Sequence, residues 1–374
     1  MKHLFLVCAA ACGLLLAGET LAAQSLNVTQ TANVNKQNIT ARKNESRQEI
    51  VIPPVNGYQV LKCDFHIHTV FSDGSVWPDF RVQEAWRDGL DAMAMTDHIE
   101  YLPYKKYFNA DFNTSYEIAK PVADRYGLIL IRGTEITRKQ GEIGHFNALF
   151  IQDANTIPAD DPEQAIRNAL AQDAFILFNH PGWAVDTCLI TPFQQKMMDQ
   201  KMIHGIEVFN HLEFYPRVIS WCADLGYPMF ANSDEHGVIS EDFEMFGPAA
   251  AFLRHRPITL VLASACTQDA IREALFAKRT IAYSDNTFAG EAQMLTDLFQ
   301  ACVSKTLVSK GEKTAVYNLT NHSSLRFDVR VGKGGKLTLG PQSTIRITLS
   351  NDKKNTLTLL NMWSREDQQV QVVW

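Results

Sequence analysis

The chain has 374 residues, enough for two ordinary domains or one large barrel with an appendage. Lys plus Arg number 35 and Asp plus Glu 41, a formal net charge of -6, with 46% hydrophobic and 20% charged residues. This usage excludes a mostly disordered chain, and the lack of a clustered basic run argues against a dedicated nucleic-acid binder. An enzyme or a binding protein is left.

The chain begins with Lys2, an apolar run from Leu4 to Ala17, and small residues at Ala22 and Ala23. Residues 1–23 therefore read as a cleaved signal peptide, since Glu19 and Thr20 cut the run short of the roughly 20 apolar residues a span needs. The mature protein is expected to be exported, periplasmic or secreted, and without a membrane span. Cys8 and Cys12 fall in this segment. The other five, Cys63, Cys188, Cys222, Cys266 and Cys302, form no C-x-x-C pair and read as buried thiols, although export permits a disulfide.

Residues 24–57, polar and ending near Pro53-Pro54, read as a linker. Short apolar runs then recur: Val60 to Ile67, Ala92 to Met95, Leu128 to Ile131, Phe146 to Ile151, Phe175 to Phe178, Ile206 to Phe209, Met229 to Ala231 and Thr280 to Tyr283. Helix-periodic stretches lie between several of them, as in Pro162 to Gln172 and Thr267 to Lys278, where Thr267 can cap. This alternation predicts an α/β chain built on a parallel sheet or barrel over residues 58–290. From residue 300 to 374 the pattern changes to alternating stretches (Leu325 to Val331, Thr344 to Leu349, Thr356 to Leu360, Val370 to Val373) broken by Gly334-Gly335, Gly340-Pro341 and Asn351-Asp352. A small C-terminal β domain, sandwich-like, is expected there. Between Lys310 and Trp374 it holds 10 Lys plus Arg against 5 Asp plus Glu, read as charge scattered over a solvated sheet.

What ends the apolar runs carries the chemistry. The first reads Asp64-Phe-His66-Ile-His68, and alternation along a strand puts Asp64, His66 and His68 on one face. Two imidazoles at i and i+2 make half of a metal site. Asp73 follows in a loop; the next runs end in Thr96-Asp97-His98 and Gly133-Thr-Glu135; later ones end in Asn179-His180, Asn210-His211 and Asn232-Ser-Asp234-Glu-His236. His145 sits at the start of its run, the one irregularity. Barrels collect functional groups at strand C-termini. His66, His68, Asp73, His98, Glu135, His145, His180, Asp234 and His236 are nine N and O ligands, more than one ion takes, so two or three divalent ions are expected. Imidazole and carboxylate suit Zn, Mn or Fe, and spacing does not choose among them.

Set in order across Tyr58 to Thr287, the motifs His66-x-His68-Thr-x-x-Ser-Asp73-Gly, Thr96-Asp97-His98, Gly133-Thr-Glu135, Gly144-His145, Asn179-His180-Pro-Gly, Glu207-Val-x-Asn210 and Ser233-Asp234-x-His236 resemble the PHP (polymerase and histidinol phosphatase) family. The resemblance implies a distorted seven-stranded β/α barrel with three metals. One ion would sit on His66, His68, Glu135 and Asp234, a second on Glu135, His145 and His180, and a third on Asp73, His98 and His236, with Glu135 bridging. Many relatives carry His in place of Asp73, which implies a looser third ion. Export and a C-terminal β module look most like the family's phosphodiesterase branch.

A metal-dependent phosphoesterase, most plausibly a phosphodiesterase, is the expected function, with a metal-bridging hydroxide attacking phosphorus in a trinuclear site. Two alternatives stand beside it: a hydrolase of carboxylic esters, carbamates or amides with the same site, and a non-catalytic envelope-binding module. Asp97 reads either as an acid that orients an imidazole or protonates the leaving group, or as a structural acid. Asn210, His211 and Arg132 are candidate substrate contacts, and Glu207 reads as a satisfied internal acid. The loop aromatics Trp77, Tyr101, Tyr104, Trp183 and Phe214 read as closing the core rather than walling a site. The partner expected is a small phosphate ester; the sequence does not speak to oligomeric state.

Overall fold

The computed structural model describes residues 46–243, 255–352 and 354–373, so the signal peptide, Cys8, Cys12 and most of the linker lie outside the described residues. The apolar runs become strands: β1 (Gln59–Asp64), β2 (Ala92–Met95), β3 (Ile129–Thr137), β4 (His145–Leu149), β5 (Phe175–Asn179), β6 (Gly205–Asn210), the two-residue β7 (Glu213–Phe214), β8 (Met229–Asn232), β9 (Ile258–Ala263), β10 (Thr280–Ser284) and β11 (Thr287–Ala289). Strands β2, β4, β5, β6 and β8 are buried along their whole length, which explains why they read as apolar runs, interrupted only by the buried Asn147 in β4 and Glu207 in β6.

Between them lie α1 (Pro78–Arg87), α2 (Thr114–Tyr126), α3 (Pro162–Leu170), α4 (Pro192–Asp199), α5 (Pro216–Leu225), the single turn α6 (Ile239–Asp242) and α7 (Gln268–Phe276); α8 (Ala292–Cys302) follows β11. Their starts are written in the sequence. Proline opens α1, α3, α4 and α5, where its missing N–H costs nothing. Asp161 caps α3, Thr191 and Gln194 form a reciprocal capping box on α4, and Thr267 caps α7 as expected. Gly127, at φ 66°, ends α2 in the left-handed conformation.

The sheet is mixed, which corrects the expectation of parallel pairing throughout. Strands β1, β2 and β3 run parallel, as do β5, β6 and β8, but β4 is antiparallel to both β3 and β5. Only seven residues separate β3 from β4, too few for a crossover. On the other side β9 pairs antiparallel with β1 and with β10. The run Ile258–Ala263 that forms β9 escapes the sequence reading, although it is wholly buried. Between β8 and β9–β10, side chains take the place of a backbone ladder: Thr259 Oγ1 bonds both N–H and C=O of Ala231, and Thr280 Oγ1 donates to Met229 O.

The C-terminal part adds β12 (Val303–Lys310), β13 (Thr314–Asn321), β14 (Phe327–Val331), β15 (Lys336–Leu339), β16 (Thr344–Ser350), β17 (Thr356–Arg365) and β18 (Gln368–Val373). Strands β12, β13 and β16 form a three-stranded antiparallel sheet. Strands β14, β15, β17 and β18 pair with one another, and β17 joins β11 in parallel with Phe288 opposite Met362, so the main sheet runs on into this region. Leu319, Ile347 and Leu349 share one core with Phe327, Leu357, Leu359 and Val370. Lys305, Lys310, Lys333 and Lys336 are exposed and spread over separate strands and turns. None of the five described cysteines is disulfide-bonded; Cys63, Cys222 and Cys302 are buried.

Candidate metal centre

All nine residues singled out as ligands meet at one end of the sheet. The irregularity of His145 disappears with the strand direction. Because β4 is antiparallel, its first residue lies opposite Thr137 and Asn179, the last residues of β3 and β5. A strand start thereby joins a rim of strand ends. β1 itself stops at Asp64, and His66 and His68 lie just beyond it, where Ile67 bridges in parallel to Glu235.

Glu135 is the hub. Its Oε1 lies 3.4 Å from His66 Nε2, 3.3 Å from His145 Nδ1 and 3.6 Å from His180 Nε2. Its Oε2 faces His68 Nε2 at 3.5 Å and His98 Nδ1 at 2.9 Å. Asp234 Oδ1 stands 3.0 Å from the Nε2 atoms of both His66 and His68, which are themselves 3.1 Å apart. On the open side, Asp73 meets His98 at 3.2 Å and His236 at 3.3 Å. Three sets have ligand atoms close enough to share an ion: His68, Asp73, His98 and His236; His66, His68 and Asp234; and His66, Glu135 and His180. His68 thus belongs to the outer set as well as an inner one, a grouping that differs from the one the resemblance implies.

The donor set fits cations. Asp234 Oδ1 is buried without a hydrogen-bond partner although two imidazole nitrogens lie at 3.0 Å, and lone pairs converging on one point are what a metal ion satisfies. The charges tell the same story. Burial alone would push His66 down, but the carboxylates of Asp234, Glu207 and Glu135 outweigh it and hold its pKa well above the ordinary value. His98 is likewise carried against burial to about 11, mainly by Glu135 and Asp73. His68 falls to about 4, through burial and the neighbouring positive charge of His98. Glu135 and Asp234 stay well below the carboxylate range: against burial, His98 and His66 dominate for the first and His66 and His68 for the second.

Carboxylates behind the ligands aim them. Glu207 Oε1 takes His66 Nδ1 at 3.0 Å and Asn232 Nδ2 at 2.8 Å, while Oε2 takes the N–H of His180 and the amide of Asn210. That fixes the His66 tautomer with Nε2 free toward the cluster. Asp64 shares the expected face yet is no ligand; it accepts from His66 N and from both N–H and Oγ of Ser233, and pairs with buried Arg256. His180 and Asp234 also hold positive φ, 29° and 49°, strain of the kind stored at functional sites.

The cluster floors a cavity of about 990 Å³ whose other walls include Lys139, Gln140, Trp183, Asn210, His211 and Glu213. Asn210 and His211 therefore face the cavity. Asp97 does not line it: its oxygens accept from Thr69 N, Thr69 Oγ1 and Ser72 Oγ, and it reaches His68 only through Ser72 Oγ, 3.3 Å from His68 Nδ1. That arrangement corrects its reading as a proton donor to a leaving group. Arg132 is corrected too. It sits mid-strand with its guanidinium on Asn113 and Glu117 beside α2, on the face opposite Glu135, because three residues along a strand reverse the side. The loop aromatics do not close the core. Trp77, Tyr101, Tyr104, Trp183 and Phe214 are all exposed, and Trp183 packs edge-on to His180 and against His145.

A cluster of imidazoles and carboxylates that could hold metal ions, gathered at the strand ends of a mixed α/β sheet, defines a class of protein. The comparisons place this chain within it. The PHP domain family model matches residues 64–177. The crystal structure of a two-domain protein from Bacteroides vulgatus, which contains a predicted PHP-like metal-dependent phosphoesterase, superimposes with a TM-score of 0.82 at 35% identity, covering 88% of this chain and 98% of that one. An uncharacterised protein of Methanocaldococcus jannaschii is 36% identical over 77 residues, 21% of this chain and 34% of its own length, so the match spans about a third of that relative. The chain belongs to the PHP domain family.

Proposed function

We propose that the protein is a metal-dependent phosphoesterase acting on phosphodiesters, with the nine clustered residues as ligands for two or three divalent ions. The observation that carries this reading is the convergence of eight of these side chains in three sets that could each hold an ion, with His145 reaching the same cluster through Glu135, beneath an open cavity. Its likeness to the Bacteroides protein supports the phosphoester substrate. Zn, Mn or Fe bound there would supply Lewis acidity toward a phosphoryl oxygen and lower the pKa of water.

The chain's own side chains set up the rest. Glu135 and Asp234 hold negative charge between the imidazoles and keep the ion positions close together. Glu207 fixes His66, and Ser72, itself held by Asp97, steadies His68. Asn210 and His211 line the wall that faces a bound ester, and Trp183 offers its alcohol group an apolar face. Within this reading the strands bridged by Thr259 and Thr280 form a distorted barrel over residues 58–290, and residues 300–374 form a β module. Export follows from residues 1–23.

The test is hydrolysis of a chromogenic aryl phosphodiester and its monoester by metal-stripped, Mn-reconstituted and Zn-reconstituted protein. Metal-dependent diester turnover supports the reading. Bound metal with no turnover of either phosphate would move the assignment to carboxylic esters, carbamates or amides.

A further inference from the structure

We propose that the buried Arg81–Glu84 pair is a clasp that fixes the outer ligand set of His68, Asp73, His98 and His236, so that losing it frees the outermost ion and spares the ion position on His66, Glu135 and His180. The proposal rests on the metal-centre reading above. Arg81 is wholly buried yet does not line the cavity. Its Nε donates to His68 O at 2.8 Å, its Nη2 to Glu235 O at 3.0 Å and its Nη1 to Glu84 Oε2 at 2.9 Å. Glu84 Oε1 in turn accepts the N–H of Ile239 at 3.0 Å.

These bonds tie α1 to two of the segments that carry outer ligands. His68 N also donates to Glu235 O at 3.1 Å, and Ser75 N to His236 O at 2.8 Å. Gly74, next to Asp73, packs so tightly on the His68 backbone that a Cβ there would fall 2.8 Å from the carbonyl carbon. The His68 segment beyond β1, the Asp73 loop and the Asp234–His236 loop are thus one knot with Arg81 at its centre. His68 and Asp234 share this knot with the middle set, whereas His66, Glu135 and His180 are held otherwise, through Glu207 on His66 Nδ1 and on the N–H of His180. The knot needs arginine, since three acceptors in different directions require a planar fork that an ammonium on a flexible stem does not provide.

The experiment counts ions rather than turnover. Metal-stripped full chain, R81M and R81K are titrated with Mn²⁺, bound ions are counted per chain, and circular dichroism confirms folding. The expected result is an outermost Mn²⁺ weakened about 10–100-fold in both variants, with the tightest equivalent, on His66, Glu135 and His180, unchanged. If R81M does not fold, R81K, which keeps volume and charge, decides. Wild-type affinity at every equivalent in a folded variant, or uniform weakening of all of them, overturns the clasp. A wild-type chain that never takes up an outer equivalent overturns the ligand assignment and the clasp with it, and that failure is recognisable because it appears without any substitution.

Discussion

The two sides of the cluster are built from the same residue types and differ in how they are held. On the inner side, His66, Glu135 and His180 are buried, and Glu207 and Asp64 stand behind them as hydrogen-bonded carboxylates. On the outer side, the Asp73 and His236 side chains are 43% and 41% exposed, on loops rather than strands. Ligand type sets which ion can bind, and the backing sets how firmly. The inner side should bind early and hold; the outer side should be the exchangeable part.

The largest effect expected from breaking this contrast is at its shared members. Asp234→Ala removes an oxygen common to His66 and His68, and turnover should fall about 10³-fold, a loss of several kcal/mol of charge stabilisation, measured as kcat/KM with saturating Mn²⁺. Glu207→Gln touches no ion and should weaken the inner ions by about 10–100-fold, read by competition with a chelator. Asp73→Ala should cost less, about tenfold in kcat, with the inner equivalents still bound. Trp183→Ala should raise KM for bulky aryl esters by a few-fold and leave small esters unchanged, since burying part of a ring contributes about 1 kcal/mol. Arg132→Ala, on the far face of β3, should change nothing beyond about twofold.

Acid loss of activity at the cluster must be separated from acid loss of the fold, and His204 supplies the control. Burial, with help from Arg272, lowers its pKa to about 4, and its Nδ1 accepts the N–H of Ile176 at 2.9 Å. The folded pKa lies below the unfolded one of about 6.5, so the unfolded chain takes the proton first. Stability from this group is therefore present above about pH 6.5 and lost as pH falls toward 4. Melting temperatures between pH 7 and 4.5 should drop for the wild type and drop less for His204→Gln.

Much of the site was legible because every ligand but the loop residue Asp73 lies at the end or start of an apolar run, a one-dimensional mark of a three-dimensional rim. His145 looked out of place only because strand direction is not written in a run; the seven-residue gap from β3 was the available signal. Arg132 misled by proximity to Glu135, although the period of two already placed it on the opposite face. Glu207 was legible as a buried acid, but its partner His66 lies 141 residues away and only folding brings them together. Arg81 and Arg256 left no mark, since a charged residue in a helix or loop reads as solvated until its buried acceptors are known. The exposed loop aromatics were misjudged for the converse reason: composition does not tell which face of a loop meets water.

The most direct test of the account is the number of ions bound per chain, by elemental analysis after Mn²⁺ or Zn²⁺ reconstitution, in the wild type, Asp73→Ala and Asp234→Ala. Two or three ions are expected in the wild type, one fewer in Asp73→Ala, and loss of the ion shared by His66 and His68 in Asp234→Ala. A wild-type chain that binds no divalent metal, or an Asp234→Ala chain that keeps its full complement, would contradict it.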